Sequence, residues 1–111
     1  MEDNKISNVT YWIFPVKNER FDAINEFKNN PSIDWNNEEN TKVNLNDIVY
    51  LYIGKPYQQL KIQTKVTNIE PLTLTLIDFI QPISFSQMLK HGLKGNIQGK
   101  RKISEELLNF I

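Results

Sequence analysis

Three stretches between Asp47 and Ile80 constrain this chain most, because their apolar residues recur with a period of two and the breaks between them are short. In residues 47–53 two sets interleave, Ile48/Tyr50/Tyr52 and Val49/Leu51/Ile53, which predicts a strand covered on both faces. Gly54-Lys55-Pro56-Tyr57 then interrupts it, as Gly and Pro do. In residues 60–69, Leu60, Ile62, Thr64 and Val66 alternate with Lys61, Gln63, Lys65 and Thr67, the pattern of a strand with one buried and one wet face. "LTLTLIDFI", Leu72 to Ile80, alternates again. Strands this near in sequence pair antiparallel, so 47–53, 60–69 and 72–79 are expected as consecutive strands of one meander. A lone meander leaves one face open, and curling into a small barrel would cover it.

The flanks add short elements. "VTYWIFPV" (Val9 to Val16) is β-branched and aromatic and predicts a strand that Pro15 stops. In "NERFDAINEFKNN", Phe21, Ile24 and Phe27 fall at three-residue spacing, which predicts a short amphipathic helix with Asn18 as N-cap and Pro31 beyond its end. Asn29 to Lys42 reads as loop, since all its residues but Ile33 and Trp35 are polar or proline. Ser84 or Ser86 can cap a short helix through Met88 and Leu89 that Gly92 ends, and Ser104 opens a last helical turn or two. A few strands with short helices at the ends give an α+β domain, read as one unit over residues 1–111.

With no cysteine, the chain has no disulfide, thiolate chemistry or Cys-based zinc site, and an intracellular, cytoplasmic setting is expected. No apolar run approaches the roughly 18 residues that span a bilayer, and "MEDNKISNV" lacks the layout of a signal peptide, so no membrane partner is expected. Formal net charge is zero, yet residues 1–50 carry −4 and residues 51–111 carry +4. That split reads either as chance or as a basic face for phosphates.

"YWIFPV", "IDW", "LNDIVYLYIGKPYQQLKIQTKV" and "LKHGLKGNIQGKRKISEELLNFI" together resemble the EVE-like domains of the PUA-like superfamily, over about Thr10 to Ile111. The resemblance implies a PUA-like small β-barrel of mostly antiparallel strands with short flanking helices. It also implies binding of nucleic acid, DNA or RNA, often through a modified base flipped into an aromatic-lined pocket. Two positions depart from the pattern: Asn46 stands where glycine is usual, and Lys100 where proline follows Gln98-Gly99.

The resemblance gives Trp35 a role on a polar loop. An extruded base is held between aromatic or apolar walls while polar groups read its edge. Trp35 with Asp34, Trp12 and Tyr57 would form the base pocket. The alternatives are that Trp35 plugs the barrel end or makes a surface contact, that Trp12 is a core residue of its strand, and that Gly54–Tyr57 is an ordinary turn. Lys55, Lys94, Lys100 and Arg101 would hold phosphates; a solvated basic loop is the alternative for the last three. His91 is the only histidine, so neither a metal site nor a triad can be drawn, and no cofactor is expected. Asp47 followed by Gln63 and Lys65 imitates a nuclease pattern, as Asp22/Glu26/Lys28 does on a helix, but the expectation is a module without enzymatic activity. An effector protein acting on the bound signal is the further partner expected. The alternatives are a protein-interaction domain and a sensor of a free modified nucleotide.

Overall fold

The computed structural model describes residues 9–17, 19–36 and 41–111. Within them the chain forms β1 (Tyr11–Val16), α1 (Ala23–Asn29), β2 (Ser32–Asp34), β3 (Ile48–Ile53), β4 (Gln59–Ile69), β5 (Leu72–Ser84), α2 (Phe85–Lys90), β6 (Arg101–Lys102) and α3 (Glu105–Phe110). The six strands make one sheet in the order β2-β5-β4-β3-β1-β6. The β3-β4-β5 meander is antiparallel, as its period predicts. β1 lies parallel to β3, from Tyr11 opposite Ile48 to Val16 opposite Ile53.

Pro15, expected to end its strand, does not, and a second proline also lies within a strand. Pro15 sits inside β1 opposite Tyr52. The other neighbour, β6, pairs only with Trp12 and Ile13, so the missing N–H of Pro15 falls where no partner waits. Pro82 lies inside β5, whose outer edge is paired with β2 only at Thr73–Thr75. A proline on such an open edge removes no ladder bond.

Both faces of the sheet are buried. On one, Trp12, Phe14 and Val16 pack with Val49, Leu51 and Ile53 under α1, which contributes Ala23 and Phe27. On the other, Ile13, Tyr50 and Tyr52 pack with Leu60, Met88 and Leu107, from β4, α2 and α3. The expected single-faced burial of β4 fails at one place. Leu51 pairs with Ile62 but Tyr52 with Leu60, so Lys61 is an extra residue, a β-bulge, and Leu60 turns to the face opposite Ile62.

The barrel is not closed. β2 and β6 remain the two edges of an open sheet, and helices cover the faces. The sheet nevertheless curls far enough that Lys100, beside β6, donates from Nζ to the carbonyl of Asn36, just past β2 (3.0 Å). One side chain spans the gap that a ladder would have closed.

The caps explain the helix limits. α1 starts at Ala23 because Asp22 accepts from the Asn25 N–H (3.2 Å); Asn18, expected as its cap, lies outside the described residues. Ser84, not Ser86, caps α2 in a reciprocal capping box with Gln87. Ser104 caps α3.

Candidate nucleic-acid interface

Parallel pairing makes β1 and β3 end side by side. The Gly54 N–H donates to the Val16 carbonyl at 2.9 Å, and a Cβ at Gly54 would stand 3.1 Å from that same oxygen. Any larger residue would push the two strand ends apart. The chains then leave as Lys17 and Lys55, both exposed, on the rim of a cleft of about 510 Å³. Pro15, Val16, Tyr52 and Ile97 supply its apolar surface. Glu19 and Gln98 add one carboxylate and one amide. The Tyr52 ring leans on Phe85 at 6.3 Å, and burial pushes its hydroxyl pKa up, so it is a neutral donor at physiological pH.

The residues expected to form one pocket are placed apart. Trp12 belongs to the core, packed edge-on to Phe14, and is not among the residues that line the cleft. Its indole N–H donates to Asp47 Oδ2 (3.0 Å), which answers the one polar need a buried Trp has. Trp35 is half-buried against the same core, edge-on to Phe21 at 5.5 Å, with its backbone N–H donated to the Leu72 carbonyl (2.7 Å). Asp34 is exposed on β2 and accepts from the Thr73 hydroxyl (3.0 Å). Tyr57 stands outside the cleft, 48% exposed, with the Lys61 ammonium 3.9 Å from its ring centre.

Among the four expected phosphate contacts, only Lys55 lines the cleft. The basic run is divided by strand alternation. Arg101 pairs with Ile13 and lies with Lys94 beside a smaller groove of about 280 Å³ near α3, and its guanidinium donates to the Asn96 carbonyl (3.3 Å). Lys100 and Lys102 turn to the other face, 5.3 Å from the Phe14 ring and 5.7 Å from the Trp12 ring.

The nuclease-like pattern does not converge. Asp47 is 1% exposed, and its carboxylate accepts from the Thr10 and Asn44 N–H groups as well as from Trp12. Gln63 donates to the Tyr50 hydroxyl instead (3.2 Å). Among the described residues no three His, Cys, Asp or Glu side chains gather as metal ligands would, and no helix is long and apolar enough to cross a membrane.

Sequence reasoning missed Lys17, Glu19 and Tyr52 as cleft residues. The usable signal was that "FPVK" and "YIGK" both end a strand on a lysine, which parallel pairing brings to one rim.

No protein-family model matches the sequence, and no curated protein sequence does. Solved structures do resemble it. A hypothetical protein from Leishmania major aligns with a TM-score of 0.70 over 96% of this chain and 94% of its own, at 9% identity. ASCH from Zymomonas mobilis aligns with a TM-score of 0.64 over 90% of this chain and 92% of its own, at 11% identity. A protein from Agrobacterium tumefaciens aligns with a TM-score of 0.66 over 90% and 88%, also at 11% identity. At such identities the likeness speaks for the fold. The chain shares its fold with ASCH from Zymomonas mobilis, built here as a mixed six-stranded sheet that curls without closing.

Proposed function

We propose that the chain is an EVE-like module that binds nucleic acid, takes one extruded base into the cleft at the ends of β1 and β3, and acts by recognition rather than by chemistry. The observation that carries this is the composition of the cleft: an apolar surface from Val16, Tyr52 and Ile97 with two exposed lysines on its rim. A base is a flat apolar body with a hydrogen-bonding edge and a phosphate on either side. Gln98 can donate and accept along that edge, Glu19 can accept from an amino group, and Lys17 and Lys55 can meet the flanking phosphates. The ASCH-type fold and the EVE-like motifs support the same reading. An effector protein that acts on the bound signal and a cytoplasmic setting, suggested by the lack of cysteine, belong to the proposal.

The second reading, a sensor of a free modified nucleotide, is favoured by Glu19, which offsets one of the two rim lysines. Fluorescence titration with short single-stranded RNA and DNA oligonucleotides carrying unmodified and methylated bases, beside the matching mononucleotides, separates the two. Oligonucleotides should bind more tightly than mononucleotides. Lys17→Ala and Lys55→Ala should each weaken every oligonucleotide alike and lower the slope of log affinity against log salt by about 0.7. Slopes unchanged in both variants would leave only the free-nucleotide reading, and no binding to any probe would overturn both.

A further inference from the structure

We infer that Tyr57 is an outer base-stacking subsite for the nucleotide next to the one in the cleft, which makes the ligand a single-stranded polymer rather than a lone nucleotide. This rests on the reading of the cleft given above.

Three features of Tyr57 point there. First, its ring presents one face. The Lys61 ammonium lies 3.9 Å from the ring centre and covers one side, yet the residue is 48% exposed, so the open surface is the opposite face and the rim. Second, the backbone that carries the ring is held. Its N–H donates to the Gly54 carbonyl (3.1 Å), which also accepts from Gln58 (3.3 Å), and the Gln58 carbonyl accepts from Phe85 at the start of α2 (3.0 Å). Gln58 has φ +51, a left-handed conformation that a residue with a Cβ adopts only where its surroundings enforce it. A bound turn and a fixed backbone beneath the ring lower the ordering cost of stacking a ligand on it. Third, its place in the chain is right. Gly54 and Lys55 line the cleft, and Tyr57 closes the turn they open by donating its N–H to the Gly54 carbonyl. A base in the cleft, a phosphate at Lys55 and the next base on Tyr57, at the far end of that same turn, would give one strand a connected path. Every base has a π-face, so this subsite adds affinity for polymer without reading sequence.

The test compares two probes of equal charge. One is a short single-stranded oligoribonucleotide with all its bases. The other has the same sugar–phosphate chain with a single base and abasic units elsewhere. Both are made with unmodified and with methylated bases, and a DNA pair is run beside them. Tyr57→Ala should weaken the fully based probe roughly ten- to a hundredfold and leave the single-base probe as the parent binds it. Tyr57→Phe should bind both as the parent does, because the π-face remains. Tyr57→Ala equal to parent on the fully based probe, with Lys55→Ala weakened, overturns the outer subsite and leaves the cleft standing. An equal loss on both probes also overturns it, since the ring would then serve the cleft or the fold. No binding of any probe by the parent overturns the cleft and the subsite together.

Discussion

Asp47 shows how much one buried side chain can organise. Its carboxylate accepts from Thr10, Trp12 and Asn44, and its own backbone N–H donates to the Asn44 carbonyl (3.1 Å). The same residue therefore ties the entry to β1, the core tryptophan and the turn before β3. A buried carboxylate is costly without partners, and here three donors answer it. Asp47→Ala would orphan those donors, each at about 1–3 kcal/mol, so a loss of about 3 kcal/mol or more is expected. The urea midpoint measures it; a loss under about 1 kcal/mol would show that water replaces the carboxylate. Nothing in the sequence marks Asp47 as a hub, because its partners lie up to 37 residues away. Trp35 was legible only in part. Its polar neighbours suggested a loop, and Asp34 and Ser32 do face water, but the Leu72 carbonyl holds its backbone N–H and Phe21 packs edge-on to its indole at the core. It is at once a surface residue and part of the packing.

At the scale of elements, what a local pattern encodes was readable, and what pairing decides was not. The period of two in 47–80 yields β3, β4 and β5 in order, and serines give the caps of α2 and α3. β2 and β6 hold only three and two residues, too short for a period to show, and they exist because β5 and β1 offer edges to them. The parallel contact of β1 with β3 crosses the intervening α1 and β2, and no local signal announces it. The bulge in β4 is equally hidden, since Leu60 and Ile62 read as one face. It makes a sharp prediction. Removing Lys61 would place Leu60 next to Ile62, and consecutive residues alternate, so both would keep their separate cores. Deletion of Lys61 should therefore cost under about 2 kcal/mol, mainly the lost contact with Tyr57 and local rearrangement. Deletion of Gln63 would flip one side of β4 against the other and expose buried residues worth about 1.5–3 kcal/mol each, which should abolish cooperative unfolding. Circular dichroism and urea titration of the two deletions read the difference, and equal damage from both would remove the bulge from the account.

For the whole molecule the question is how many phosphates one strand can meet. The carboxy-terminal half carries +4, for which a basic face was one of two readings. Folding disperses it. Lys55 joins Lys17, from the acidic half, at the cleft, Lys94 and Arg101 border the groove by α3, and Lys100 reaches across the open seam of the sheet to Asn36. Lys100 and Arg101, adjacent in sequence, serve opposite faces because β6 alternates. A strand held by the cleft and Tyr57 alone would meet Lys17 and Lys55 and neither of these other two basic sites. Each phosphate neutralised on single-stranded nucleic acid contributes about 0.7 to the salt slope. Lys17 and Lys55 alone give a slope of about −1.4, and adding Lys94, Lys100 and Arg101 would give about −3.5. The expected value for the parent is near the first figure, with Lys100→Ala and Arg101→Ala both leaving it unchanged. A slope near −3.5 that falls in both variants would mean that the polymer wraps the sheet from the cleft to the β2–β6 seam. Lys100 would then have to exchange the Asn36 carbonyl for a phosphate, and the loop bearing Trp35 would lose that tie when the strand binds.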